Sequence, residues 1–352
     1  MKHDLVSVLL PVRNGATYLP AALRSVLAQS HRALEVLVLD DASTDGSGAV
    51  AAAMGDPRVR VVRFDAPQGL GRALNCGWEL AQGEFIARMD ADDVAEPTRL
   101  SRQLALLRQR PALAGCGSWI RVVGAGRPFL ARYPVGEPTL RAYALFDNPL
   151  AHPTVFLRRA AFDQAGLRYD EAARAAQDYE LWVRALETLP LDNVPRALLR
   201  YRQHDAAVTA QKSGESDARI AEIQRSLLAR LGVGVDADAL AFHRLVGHGV
   251  AMTTEAEFTR AERWLERIVE ANGVARVYAE DGLRHAVGFV WLRIALNSSR
   301  LGRWAAARYR ASALAGWHRP DWRERLQLEA ASRLAFMRSP GGRRPGTRAA
   351  SP

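Results

Sequence analysis

Phe85-Ile86-Ala87-Arg88-Met89-Asp90-Ala91-Asp92-Asp93 is the stretch from which the fold is read. Its first half is a short apolar run, which predicts a buried strand. Its second half sets three carboxylates at the carboxyl end of that strand. The same arrangement occurs twice upstream: Val6 to Leu10 reads as a strand leading to Arg13-Asn14, and Glu35 to Leu39 as one leading to Asp40-Asp41. Helical patterns lie between, over Tyr18 to Gln29 (Leu19, Leu23, Val26 and Leu27 on one face), Ser47 to Met54 and Gly71 to Ala81, with a further strand at Val59 to Arg63. Strand and helix in alternation predict an α/β fold, a Rossmann-like and mostly parallel sheet flanked by helices. Such sheets bind ligands beyond the carboxyl ends of their strands, where all three polar clusters stand.

Downstream, the patterns predict a helix from Pro97 to about Arg110, a strand over Leu113 to Val123, and Gly/Pro-rich loops around a short helix over 124–150. They continue with a strand over His152 to Leu157, a helix over Gln177 to Thr188 and an extended segment over Arg196 to His204. From about Ser216 only helical patterns remain, among them Ile220 to Leu231, Glu255 to Ala271 and Arg303 to Trp317. The expected division is a catalytic domain over 1–215, an all-α extension over 216–338 and a disordered basic tail over 339–352, the last because of Ser339-Pro340-Gly341-Gly342-Arg343-Arg344-Pro345-Gly346.

With 352 residues, 48% apolar and 24% charged, the chain can bury a sizeable core, and disorder is excluded for most of it. Cys76 and Cys116 form no CxxC or Cys/His pattern, which argues against a disulfide framework or a zinc site. The apolar stretch after Asp4 is too short for a signal segment, and the most apolar later stretch, around Phe289 to Leu296, contains Arg293. A cytoplasmic location is expected. The net charge is +10, and from Arg300 to Pro352 there are 12 Arg against Asp321, Glu324 and Glu329. Such a segment suits a peripheral position at the inner face of a membrane, and Trp264, Trp291, Trp304, Trp317 and Trp322 among the arginines suit headgroups. An arginine-rich composition with solvated helix faces and ordinary helix packing explains the same residues. Nucleic acid is not an expected partner, because no recognisable reading module accompanies the charge.

Asp90, Asp92 and Asp93 repel one another and need a cation or strong donors to remain ionised together. Oxygen ligands suit Mg²⁺ or Mn²⁺ bridging carboxylates to phosphates; an acidic surface turn is the plain alternative. Asp40-Asp41 can accept from a base imide or ribose hydroxyls, or belong to a helix-capping cluster with Ser43 or Asp45. Gly69-Leu70-Gly71-Arg72-Ala73-Leu74-Asn75 opens a helix whose N-terminus favours an anion, or its glycines only shape the turn.

Read in order, Pro11-Val12-Arg13-Asn14, Asp40 to Asp45, Gly71 to Asn75 and Ala87 to Asp93 closely resemble glycosyltransferase family 2, the inverting transferases of GT-A fold that build bacterial polysaccharides and other glycans. The resemblance continues through Asn148-Pro149-Leu150-Ala151-His152-Pro153-Thr154, Gln177-Asp178-Tyr179-Glu180-Leu181-Trp182 and Tyr201-Arg202-Gln203-His204, and spans residues 5 to about 205. It implies a nucleotide-sugar donor, a UDP-sugar before GDP- or dTDP-sugars, and a glycan or lipid-linked acceptor. Pro11 and Arg13 would line the base and Asp41 its polar edge, with Asn14 and Asn75 in the same donor-binding segments. Arg72 and Arg88 would meet the phosphates or brace the acidic loop. Asp90 would contact ribose or sugar, and Asp92, joined by His204, would hold the metal. Asp178 would be the general base, with Gln177 standing where many relatives carry Glu. His152 would fix the acceptor-side backbone, and Trp182 belongs to the core. A nucleotidyltransferase of related fold and a silent nucleotide-sugar-binding protein are the competing readings.

Overall fold

The computed structural model describes residues 4–124, 126–173, 175–203 and 213–334. One sheet runs through the first of its two halves, built of β1 (Val6–Val12), β2 (Leu34–Asp40), β3 (Val59–Arg63), β4 (Phe85–Arg88), β5 (Val94–Ala95), β6 (Gly115–Gly124), β7 (Phe129–Ala131), β8 (Phe156–Arg158) and β9 (Leu191–Gln203). The order is β3-β2-β1-β4-β8-β6-β9-β5, with β7 beside β6. The first four strands are parallel because each return passes through a helix: α1 (Leu19–Leu27), α2 (Ser47–Ala52) or α3 (Leu70–Leu80). β2 and β3 lie to one side of β1 and β4 to the other, so the direction of winding reverses between β1 and β4. A crevice at such a reversal is where α/β sheets bind ligands.

Beyond β4 the sheet is mixed. β8 is antiparallel to both β4 and β6, β9 runs parallel to β6, and β5 is antiparallel to β9. The strand expected over His152 to Leu157 begins only at Phe156; His152–Thr154 is a 3-10 turn. Pro153 has no N–H for a ladder, and the Thr154 hydroxyl donates back to the Ala151 carbonyl at 2.7 Å. β9 starts earlier than expected, at Leu191, because Pro195 falls where the register against β6 shifts between Ser118 and Trp119. A bulge is where a strand tolerates proline.

Four helices flank this sheet after α3: α4 (Arg99–Gln109), α5 (Glu137–Tyr143), α6 (Arg159–Gln164) and α7 (Gln177–Thr188). β1 feeds a core on each face, Val8 and Leu10 on one and Leu9 on the other, which is why it reads as an unbroken apolar run. Cys76 and Cys116 are free.

The remainder is helical: α8 (Ser213–Arg230), α9 (Ala237–Gly247), α10 (Glu255–Ala275), α11 (Glu280–Asn297), α12 (Gly302–Ala311) and α13 (Trp322–Leu334). α11 is its axis, with Leu283, Val287, Val290, Trp291 and Ile294 all buried. That placement accounts for the apolar stretch around Phe289, and among the described residues no helix is long and apolar enough to cross a membrane. The helix expected over Arg303 to Trp317 breaks at Ser312, whose hydroxyl accepts from the Leu314 N–H at 3.2 Å and starts a 3-10 turn.

α5 joins the two halves. A Cβ on Gly247 would lie 2.1 Å from the Phe146 carbonyl oxygen, and one on Gly282 would lie 2.4 Å from that of Pro138, so only glycine lets these backbones meet. The carbonyls of the segment that follows α5 are satisfied by side chains from other elements. Tyr179 Oη donates to Ala144 at 2.5 Å, His243 Nε2 to Leu145 at 2.9 Å and Gln224 Nε2 to Phe146 at 2.7 Å.

Candidate active site

The loops after β1 and β2 are welded together by their polar side chains. Asn14, in the left-handed region at φ 54°, donates its N–H to Ser43 Oγ at 3.0 Å, and its Oδ1 accepts from the Thr44 N–H at 2.9 Å. Gly15 N–H donates to Ser47 Oγ at 3.0 Å, and Ala16 N–H to Asp45 Oδ2 at 2.9 Å. Asp45 also accepts from the Ser47 N–H at 3.0 Å, but the N-cap of α2 is Gly46, so neither Ser43 nor Asp45 is the cap residue that the sequence suggested. Asp41, nearly buried, accepts from the N–H groups of Gln68 at 2.5 Å and Gly69 at 3.1 Å, which ties the loop before α3 to the end of β2. Pro11 is half-buried, and Arg13 and Arg72 are both exposed.

Asn75, expected among the donor-binding residues, bonds to the protein itself. Its amide donates to the Tyr169 carbonyl at 2.9 Å and to Glu171 Oε1 at 3.0 Å, and accepts from the Tyr169 N–H at 3.1 Å. With those bonds made and only 7% of the residue exposed, it clamps α3 to the 169–171 segment.

The acidic loop after β4 rests on buried arginines. Arg88, 4% exposed, grips both oxygens of Asp90, one at 2.7 Å. Arg99, 1% exposed, lies beneath and donates to the Arg88 carbonyl at 2.6 Å and to Gln103 Oε1 at 3.2 Å. Burial lowers the Arg99 guanidinium to about 10, against the attraction of Asp93. The sequence reading missed Arg99; the signal was a polar i, i+4 pair, Arg99 and Gln103, on the buried face of α4. Asp93 is fully buried: Oδ1 accepts from the Arg202 N–H at 2.9 Å, while Oδ2 has no hydrogen-bond partner. Burial first and the neighbouring Asp90 second push its carboxyl up to about 8. Arg202 also donates Nε to the Asp92 carbonyl at 3.0 Å, so β9 closes over the loop. His204 lies outside the described residues.

Asp90, Asp92 and Asp93 offer oxygens within 4.8 Å of one another. A hard-oxygen donor set of this kind, with one buried carboxylate oxygen left without a partner, fits Mg²⁺ or Mn²⁺.

Opposite the acidic loop stands Asp178 in the first turn of α7, where the helix dipole favours a carboxylate. Asn148 Nδ2 donates to its Oδ2 at 2.6 Å. Burial raises the Asp178 carboxyl, against the pull of the Tyr179 N–H, Arg88 and Asn148. Asp178 is in turn among the charges that, after burial, raise Asp90, so residues far apart in sequence share one field. His152 Nε2 bonds to the Tyr169 hydroxyl at 2.8 Å, and burial then the Arg88 charge hold the imidazole well below its ordinary value, hence neutral. Trp182 is fully buried, as expected of a core residue.

Comparison with known proteins bears on the family and the fold. The family model described as glycosyl transferase family 2 matches residues 7–166. The succinoglycan biosynthesis protein ExoO of Rhizobium meliloti is 34% identical over 194 residues, 51% of this chain and 55% of ExoO, so the chain spans about half of that relative. ExoU of the same organism, also a succinoglycan biosynthesis protein, is 28% identical over 81% of this chain and 82% of its own. Among solved structures, residues 1–349 of S. aureus TarS in complex with UDP-GlcNAc superpose with a TM-score of 0.52, 16% identity, and cover 95% of this chain and 92% of that one. The ExoU and TarS matches cover more of the chain than residues 5–205 supply, so likeness extends into the helical region that the sequence motifs left out.

Proposed function

We propose a mechanism and a donor for this chain, which belongs to glycosyl transferase family 2 through residues 7–166 and is a glycosyltransferase: an inverting, metal-assisted transfer from a nucleotide-diphosphate sugar, a UDP-sugar first, to a hydroxyl of a glycan or lipid-linked acceptor. The reading rests on one observation above the others: the Asp178 carboxylate, held by Asn148 at 2.6 Å, lies within electrostatic reach of both Arg88 and Asp90. The acceptor oxygen attacks C1 of the sugar as its proton passes to Asp178, and the C1–O bond to the diphosphate breaks with its electron pair leaving on the diphosphate. A carboxylate with raised affinity for a proton is the better base. Asn148 aims it, and Arg88 holds Asp90 toward the donor. A divalent ion, Mn²⁺ or Mg²⁺, held by Asp92 with His204 would offset charge on the diphosphate when bound.

Pro11, Arg13, Asp41 and Arg72 take the nucleotide in this scheme; Asn14 and Asn75 support the loops that carry them. UDP-GlcNAc in TarS makes a uridine nucleotide the first donor to test, and the succinoglycan proteins make a polysaccharide or its lipid-linked precursor the first acceptor class. The catalytic part ends near residue 215 and the helical part follows it. α13 supplies a surface for an anionic membrane, with Trp322 and Leu326 exposed among Arg319, Arg323 and Arg325.

The test is a donor panel with Mn²⁺ or Mg²⁺, reading release of nucleoside diphosphate. Metal-dependent hydrolysis of one donor, lost in Asp92→Asn, supports the reading. Turnover that persists in chelator, or in the Asp92→Asn variant, contradicts the metal assignment.

A further inference from the structure

The acceptor-side loop, residues 144–148, is held almost entirely by other elements, and most of those belong to the helical region. His243 of α9 and Gln224 of α8 bond to the Leu145 and Phe146 carbonyls. Arg293 of α11 continues the series. Its Nη1 donates to Tyr143 Oη at 2.5 Å and lies 4.0 Å from Asp147 Oδ2, and its Nη2 donates to the His248 carbonyl at 2.8 Å. His248 Nε2 stands 3.9 Å from the other Asp147 oxygen. That oxygen accepts the Asn148 N–H at 2.8 Å, and the Asn148 amide donates to Asp178. A single path of polar contacts thus runs from α11 through Asp147 and Asn148 to the carboxylate read as the base.

Arg293 is fixed in its own right. Gly249, at φ +62°, packs where a Cβ would lie 2.8 Å from the Arg293 Cβ, and Asn297 Nδ2 donates to the Gly249 carbonyl at 2.7 Å. A planar fork anchored on a phenol and a carbonyl is pre-organised in a way that a lysine would not be. Asp147 and Arg293 each keep about a third of their side chain exposed, at 31% and 30%, so the pair reaches solvent rather than lying in the core.

We propose that Arg293 is a positioning residue for transfer: through Asp147 and Asn148 the helical region sets the placement of Asp178, and the sheet domain alone would hold a misaimed base. The proposal rests on the reading of Asp178 as base. A shift of about 1 Å in a reacting group can cost on the order of a hundredfold in rate. The full chain is compared with Arg293→Met, Arg293→Lys, Asp147→Asn, the Arg293→Met/Asp147→Asn double variant and Asp178→Asn. Three readouts are taken: hydrolysis of UDP-GlcNAc by water with Mn²⁺, calorimetric binding of UDP, and amide exchange of the 144–150 peptide.

Expected are a fall of about tenfold to a hundredfold in turnover for Arg293→Met, partial recovery in Arg293→Lys, and a double variant no worse than the poorer single one. UDP affinity stays unchanged, and the 144–150 amides exchange about tenfold faster. Unchanged exchange and unchanged turnover in Arg293→Met overturn the proposal. So does a double variant whose losses simply multiply. If Asp178→Asn alone leaves turnover intact, the base reading fails while the exchange result still decides whether Arg293 orders the loop.

Discussion

His243 offers a measurement whose size follows from the structure. The imidazole is fully buried between α9 and α10; Nε2 donates to the Leu145 carbonyl at 2.9 Å, and Nδ1 accepts from Trp264 Nε1 at 3.0 Å. Both nitrogens are therefore committed to the neutral ring, and a second proton would face the indole N–H. Burial lowers the group from 6.5 to about 4, with the Leu145 bond opposing in part. The unfolded chain binds this proton more readily than the folded one, so stability is complete above about pH 6.5 and is lost as pH falls toward about 4. Between pH 7.5 and pH 5 the loss from this one group is about 2 kcal/mol. Urea unfolding at the two values, for the wild type and His243→Gln, isolates it: glutamine keeps a donor and an acceptor but does not titrate. The wild type should lose about 2 kcal/mol more than the variant over that interval. Equal losses would show that His243 is not held neutral by its surroundings.

Other outcomes follow from the site. Asp178→Asn should lower turnover by about a hundredfold to ten-thousandfold, the usual share of a general base, while calorimetric UDP affinity is retained; a loss of UDP binding would place Asp178 on the donor instead. Asn75→Ala removes three bonds from a buried clamp and should cost about 2 kcal/mol in denaturant unfolding with nucleotide affinity intact. A variant of full stability with weakened UDP binding would return Asn75 to the donor site. Trp322→Ser/Leu326→Ser should bind vesicles containing phosphatidylglycerol at least about tenfold more weakly, since each exposed side chain carries roughly 1.5 kcal/mol or more of burial free energy. Wild-type protein that ignores such vesicles at low salt removes the membrane reading.

Much of this protein was legible in its residues. The parallel half of the sheet follows from local apolar periods interrupted by polar clusters, and those clusters had to fall at strand ends because the chain alternates strand and helix. The acidic loop and Asp41 stood out because carboxylates follow strands there, whereas Asp178 was reached only through the family resemblance, since an acid in the first turn of a helix is ordinary. The antiparallel half was hidden by Pro153 and Pro195, each of which reads as a break until a turn and a bulge are seen to absorb it. The protein bonds of Asn14 and Asn75 were not legible, because a side-chain amide serves a backbone and a nucleotide with the same atoms. Arg99 and Arg293 were invisible as site residues, since a charge within a helix ordinarily faces water. Sequence by itself determined the sheet's parallel half, the polar residues at its edge and the helical texture of the remainder. Tertiary structure alone decided that α8, α9 and α11 converge on the carbonyls and carboxylate of 145–147, because those contacts join residues some 80 to 150 positions apart, and no local pattern carries information over that separation.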